Sequence, residues 1–278
     1  MATDLWRNIL VATDLSDAAD EAIRQAHAQA RLFGARLRVL HVIPSWPGTP
    51  MSPGESQREL VDRERLSAEL FDAITTRVES LVGPIPAGEL DIVLDDGLAS
   101  DVIAKHAEAT DTDLVVVGGT GKRGAVRRLL GGVAESVVRT CSRSVLVARP
   151  RPGTQRILCA VDFSPASWVT ARAAVALHVA CGDELEVVHA RWSAEPAAEL
   201  TRRLEGVVAE LGHGIARLVE GAPDIVIPAL AADERADLVV IGTTGHGGLG
   251  ELLLGSVAQA VARNAPCSVL VVRQQRQR

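Results

Sequence analysis

A chain of 278 residues can hold two ordinary domains, each with a buried core. Its composition, 47% hydrophobic and 23% charged with no tyrosine, excludes a disordered class and leaves alanine, valine and leucine to fill the interior. A formal net charge of −6 argues against a general nucleic-acid binder, and no apolar run reaches membrane-spanning length, so neither nucleic acid nor membrane is an expected partner.

The first residues, "MATDLWRNILVATDLS", have no basic region followed by a long apolar core, so no secretory signal is read and a cytoplasmic location is expected. "NILVAT" suits a buried strand. "DAADEAIRQAHAQARLF" sets Ala18, Ala22, Ala26 and Ala30 at helical spacing, and Gly34 ends it. "RLRVLHV" alternates like a strand. Pro44, Pro47, Pro50 and Pro53 then forbid regular structure, which predicts a surface loop leading into a helix near 57–81. A strand at "ELDIVL", a helix at "ASDVIAKHAEAT", the strand "DLVVVG", a helix near 132–140 and the strand "SVLVAR" complete the first half. The stretch "RPRPGTQ" (149–155) reads as a linker.

Beyond it the same order returns, with "GIARLVE" as third strand and "APDIVIPALAADE" as third helix. "NILVATDLS" (8–16) matches "RILCAVDFS" (156–164) at five of nine positions, and residues 112–149 match 236–273 at 20 of 38 without a gap. The chain is a duplication, with domains predicted at 1–149 and 150–278. Strands alternating with helices predict, in each half, a five-stranded parallel sheet covered on both faces, in the order 3-2-1-4-5. The four cysteines, Cys141, Cys159, Cys181 and Cys267, form no C-x-x-C pair and read as free buried thiols, without zinc or structural disulfides.

In such sheets ligands bind beyond the carboxyl ends of the strands where strand order reverses. There the first and fourth strands end, at Asp14 and Gly118 in one half and Asp162 and Gly242 in the other. The glycine-rich loop after the fourth strand, "GTTGHGGLGELLLGS", presents backbone N–H groups, and Gly255-Ser256 starts a helix whose partial positive end faces the crevice. Such a loop suits phosphates without lysine. Ser256 adds a hydroxyl donor, whereas Asp162 belongs at the ribose end, accepting hydroxyl hydrogen bonds. Gly242 and Gly255 are expected to bring backbone against phosphate, where a side chain would intrude.

These residues resemble the universal stress protein family in its tandem form. The family's ATP-binding motif, G-x2-G-x9-G-[ST], is complete at Gly242, Gly245, Gly255 and Ser256. Gly118, Gly121, Gly131 and Gly132 satisfy it except at the last position. The family's strand-1 aspartate matches Asp14 and Asp162, and its adenine-side position falls on Val42 and Ala190. The adjoining residues, Ala12, Val117 and Val133 in the first half and Ala160, Ile241 and Val257 in the second, complete the expected nucleotide-binding set. The resemblance implies flavodoxin-like or Rossmann-like α/β domains, ATP or the related ADP or AMP, with or without Mg²⁺, and a regulatory or protective role under stress involving an unidentified protein partner. It also implies pairing through the last strands, "SVLVAR" and "SVLVVR", within the chain or in a homodimer.

Two rival functions stand beside this reading: a slow ATP hydrolase or nucleotidyl transferase, and a nucleotide-independent dimerisation scaffold. Against the enzyme, no G-x-x-x-x-G-K-[ST] loop, paired carboxylates, protein metal ligands or activated nucleophile appears, so no catalytic residue is named. Asp14 and Asp162 have a competing role as helix caps, which Ser16 and Ser164 fill better. His41 and His189 end matching strands and read as packed histidines. His246 lies in the second glycine loop, and Lys122, Arg123, Arg127 and Arg128 in the first, where Glu251 is the second-loop counterpart of Arg127.

Overall fold

The alternation of short branched-aliphatic strands with helices folds as one helix-covered sheet. The computed structural model describes residues 5–44, 57–86, 90–119, 130–192, 194–243 and 254–274, with side chains of the second segment described from residue 64. The first half runs β1 (Asn8–Thr13), α1 (Asp17–Phe33), β2 (Arg36–Ile43), α2 (Gln57–Val82), β3 (Leu90–Asp96), α3 (Ala99–Ala109), β4 (Leu114–Gly118), α4 (Gly132–Thr140) and β5 (Ser144–Ala148). The second runs β6 (Arg156–Ala160), α5 (Pro165–Cys181), β7 (Glu184–Arg191), α6 (Ala197–Leu211), β8 (Ile215–Glu220), α7 (Pro223–Asp233), β9 (Leu238–Gly242), α8 (Ser256–Asn264) and β10 (Ser268–Val272). Of the predicted loop at 44–59, residues 45–56 lie outside the described residues, and α2 already begins at Gln57. None of the described helices is long and apolar enough to cross a membrane.

Local chemistry sets the ends of the first helix of each half. Ser16 and Ser164 are the N-caps, their hydroxyls accepting the N–H of Ala19 and Ser167, and both helices stop at a glycine in the left-handed region, Gly34 (φ 65°) and Gly182 (φ 78°). The aspartates are therefore not needed as caps.

Each half has the strand order 3-2-1-4-5, all parallel. In place of two separate five-stranded sheets there is one sheet of ten, β3-β2-β1-β4-β5-β10-β9-β6-β7-β8. Its only reversal among these strands is the antiparallel pairing of β5 with β10, where Val147, Leu146 and Val145 oppose Val269, Leu270 and Val271. The repeat offset makes Leu146 and Leu270 equivalent residues, so a pseudo-two-fold axis passes through their pairing. Two hydrophobic cores, one on each face of the sheet, contain residues of both halves. Fully burying such an aliphatic side chain contributes about 1.5–3 kcal/mol, and the two halves share that contribution across the seam.

Two arginines close the seam reciprocally. Arg149, just after β5, donates from Nη1 to the Cys267 carbonyl (3.1 Å) and from Nη2 to the Ala262 carbonyl (2.6 Å) at the end of α8. Arg273, just after β10, donates from Nη2 to the Val138 carbonyl (3.0 Å) near the end of α4. Their backbone N–H groups reach Ser268 Oγ and Ser144 Oγ, both at 3.1 Å. Burial pulls both guanidinium pKa values down, and helix C-terminal carbonyls compensate the charge. The symmetry is imperfect, since Arg273 Nε and Nη1 lack a hydrogen-bond partner among the described residues.

Three cysteines match the expected buried free thiols, and burial raises the Cys159 pKa to about 12 and that of Cys267 to about 11. Cys181 corrects the expectation: as the last residue of α5 it lies at the surface, still free.

Arg149→Met is expected to lower the unfolding free energy by about 3 kcal/mol, the scale of two lost hydrogen bonds to a charged group. Arg202→Met is the comparison. Its ion pair with Glu199 is at the surface, with the two side chains 70% and 45% exposed, and should cost less than about 1 kcal/mol. Urea denaturation of both variants measures the difference.

Candidate functional site

In each half the first and fourth strands are neighbours, but the helices that follow them leave to opposite faces. β1 leads to α1 on the face holding Ile23 and Ala26, and β4 leads to α4 on the face holding Val137 and Val138. The second half repeats this with β6, α5, β9 and α8. That divergence opens a crevice at the carboxyl ends of the paired strands.

One wall is the turn after the first strand. Asp14 Oδ1 accepts the Ser16 N–H (3.1 Å) and Asp162 Oδ1 the Ser164 N–H (3.0 Å), which makes each aspartate the head of a tight side-chain turn. The residue between them, Leu15 (φ 61°) or Phe163 (φ 62°), adopts a left-handed conformation that bulky residues avoid. In the second half Phe163 is held by the His189 ring (centroids 4.2 Å apart) and by Arg203, 4.3 Å above its ring. Asp162 Oδ1 also accepts from Ser164 Oγ (2.6 Å) and Ser167 Oγ. Ala19 occupies the place of Ser167 in the first half, so Asp14 has no counterpart of that hydroxyl.

The histidines are structural here. His41 Nδ1 is 2.8 Å from the Thr13 carbonyl and His189 Nδ1 2.8 Å from the Val161 carbonyl, each ring N–H tying the second strand to the end of the first. Burial pushes the His189 pKa down, which favours the neutral ring. These contacts match the packed role expected for both residues.

The opposite wall is the start of the fourth helix. Gly131 N–H donates to the Gly119 carbonyl (2.8 Å) and Gly255 N–H to the Thr243 carbonyl (2.6 Å), drawing each helix start back to its strand end. Gly131 and Gly255 are N-caps with no side chain of their own to offer, so among the described residues the first-turn N–H groups of α4 and α8 carry no side-chain cap. Their φ angles, −66° and −64°, suit any residue, so Gly255 is not required by its dihedral. Ser256 is exposed at the first position of α8, and a β-carbon on Gly132 would enter open space.

The other motif residues fall into two groups. Ala12, Val42, Ala190 and Val257 are half-buried and Val133 is exposed, so their side chains are accessible. Val117, Ile241 and Ala160 are buried in the core, and what they offer the crevice is backbone. Gly121, Gly245, Lys122, Arg123, Arg127, Arg128, His246 and Glu251 lie outside the described residues.

Gly118 and Gly242 have a packing role that the motif does not suggest. A β-carbon on Gly118 would lie 2.7 Å from the Ala18 carbonyl oxygen, and one on Gly242 2.9 Å from Thr170 Oγ1. Both glycines let the first helix of their half press against the end of the fourth strand. Thr170 and the left-handed Leu15 and Phe163 were not singled out in the sequence; an apolar residue between aspartate and serine in both repeats is the one available signal.

Chemically, each crevice sets a carboxylate opposite an uncapped helix N-terminus, with a small aliphatic surface at the end of the second strand. Such an arrangement accepts hydroxyls on one side and an anion on the other. No group of three or more His, Cys, Asp or Glu residues able to hold a metal is found among the described residues.

A model of the universal stress protein family matches residues 5–149 and again 153–273. A universal stress protein of Mycolicibacterium smegmatis is 29% identical, with 95% of this chain and 96% of that protein covered. One from Mycobacterium tuberculosis is 32% identical over 188 residues, a match that spans 60% of this chain and 63% of the relative's length. Among solved structures, a universal stress protein from Archaeoglobus fulgidus superimposes with a TM-score of 0.71 at 20% identity, covering 96% of this chain and 98% of that one. At that identity the likeness speaks for the fold.

Gly118→Ala is expected to cost about 1–3 kcal/mol, because the Ala18 backbone cannot swing aside. Gly242→Ala should cost less, since it meets a side-chain hydroxyl, and Thr170→Ala in the same chain should relieve part of the strain. Thermal unfolding of the two single variants and the double variant measures this. Equal losses for both glycines, with no relief in the double variant, would contradict the packing role.

Proposed function

The chain belongs to the universal stress protein family, and on that premise we propose that it binds an adenine nucleotide, ATP foremost, and uses occupancy to change its shape or its partner under stress. One observation carries the reading: the uncapped start of α8, with Ser256 at its first position, stands across the crevice from Asp162, which three donors orient. The N-terminus of α8 and Ser256 receive phosphates, through backbone donors, the helix dipole and one hydroxyl. Asp162 accepts ribose hydroxyls, being unsuited to face phosphate at close range. Ala190 supplies apolar surface for the base. Magnesium, where present, travels with the phosphates and needs no protein ligand.

The first half is the weaker site in this reading. Gly132 lacks the hydroxyl of Ser256, and Asp14 lacks the serine that braces Asp162 from inside the following helix. Turnover is expected to be negligible. The sequence carries no paired carboxylates and no nucleophile motif that would activate an attacking water, and His41 and His189 tie strand ends together through Nδ1. The last strands, which the resemblance assigns to dimer pairing, are used within the chain, so a homodimer would form through other surfaces.

Calorimetry with ATP and magnesium, followed by a phosphate-release assay, tests the proposal. Binding with turnover far below ~10 per second, a typical enzyme value, is expected. Absence of binding favours a scaffold, and turnover near that value favours an enzyme.

Ser256→Ala is expected to weaken the tighter site roughly ten- to 150-fold, the range for a lost hydrogen bond to a charged group. Gly132→Ser should strengthen the other site, because its new side chain meets open space. Titrations at low and high salt check both. If Ser256→Ala leaves the tighter site intact while salt abolishes it, the first half is the principal site.

A further inference from the structure

The two halves differ where the base of a nucleotide would lie. In the first half Val42, on the base side, pairs directly with Asp95 near the end of β3. In the second Ala190 pairs with Val219 of β8. Neighbouring strands are about 4.8 Å apart, so Asp95 and Val219 border the surface assigned to the base. Strand alternation puts Val42, Val93 and Asp95 on one face, the face that α3 covers. The repeat makes Asp95 the counterpart of Val219, and His106 of α3 the counterpart of Leu230 of α7. An apolar pair in one half is thus a polar pair in the other.

His106 Nε2 lies 2.7 Å from Asp95 Oδ2, and the Asp96 N–H donates to Asp95 Oδ1 at 2.8 Å. These hydrogen bonds fix the plane of the carboxylate and hold its pKa below the ordinary value, so near neutral pH it accepts and does not donate. Each oxygen keeps a further lone pair, and the side chain is 36% exposed. A carboxylate so held is best matched by two parallel N–H donors. The Watson–Crick edge of guanine has two, N1–H and the N2 amino group. That of adenine has one donor, beside an N1 lone pair that a carboxylate repels. Val219 can draw no such distinction.

We propose that the crevice of the first half selects a guanine nucleotide, with Asp95 accepting from the base and His106 holding Asp95 in position. This rests on the nucleotide reading of the crevices and assigns the base to one of them. The two halves then answer to different purines, and the weak ATP site expected in the first half is weak partly because its base edge is built for another ligand.

Titration of the full chain with GTP and with ATP, each with magnesium, tests this by calorimetry and by amide chemical shifts. The Val133 amide reports the first half and the Val257 amide the second. In the first half GTP should bind at least about fivefold more tightly than ATP, the lower bound for a bidentate base contact. Asp95→Asn sets an acceptor beside a donor, as the edge of adenine requires, and should lose that preference and gain affinity for ATP. Asp95→Val with His106→Leu installs the pair of the second half and should abolish the preference, with ATP binding at the Val257 reporter unchanged. No shift at either reporter with either nucleotide would overturn the nucleotide reading and this inference with it. If the second half binds ATP while the first binds neither nucleotide or prefers ATP, the base assignment alone fails. It fails equally if the preference for GTP survives in either variant.

Discussion

The antiparallel pairing of β5 with β10 is the contact on which the rest of the molecule depends. A five-stranded parallel sheet that ended at "SVLVAR" or "SVLVVR" would leave a fully apolar edge with open backbone groups. Here each edge satisfies the other. The two cores then run continuously across the seam, and the last strand of each half is buried along its whole length. Arg149 and Arg273 reinforce it at both ends by crossing to the carbonyl ends of the opposite helix. With no carboxylate partner among the described residues, either guanidinium is tolerable in the interior because those carbonyls are held in place. The halves therefore stabilise each other's last helix as well as each other's last strand.

The crevices follow from the same frame. Strand order reverses between the first and fourth strands of each half, and the chain leaves on opposite faces there. Among the described residues, the aspartate turn and the start of the fourth helix face the opening. Close packing of the first helix against the fourth strand, permitted by Gly118 and Gly242, sets how near the two walls come. A motif glycine can thus set the width of the crevice through packing alone.

Much of this could be read from the residues, because it is local or periodic. The alternation of strands and helices, the caps at Ser16 and Ser164, the duplication and the strand order all rest on spacing within a few turns or on comparing the halves. What was hidden depends on distant contacts. Gly118 meets Ala18, and Gly242 meets Thr170, across long stretches of chain, so the motif alone suggested a phosphate where packing also acts. Arg149 and Arg273 look like ordinary terminal arginines until the seam buries them. Cys181 sits in an apolar helix, yet its position in the last turn brings it to the surface. The left-handed Leu15 and Phe163 defy residue preference, and only the hydrogen bonds of the adjoining aspartate explain why they stay there.

The seam reverses the direction of travel between the halves, and that has a geometrical outcome for anything that reads the molecule. Every strand of the first half points one way and every strand of the second the other, so the two mouths open toward opposite ends of the sheet. A sheet of ten strands is about 43 Å across at usual spacing. A small partner can survey one mouth at a time, and sensing both in a single encounter demands a body that wraps around the molecule or comes as a pair. The duplication thus sets the two mouths back to back, each approachable without obstructing the other.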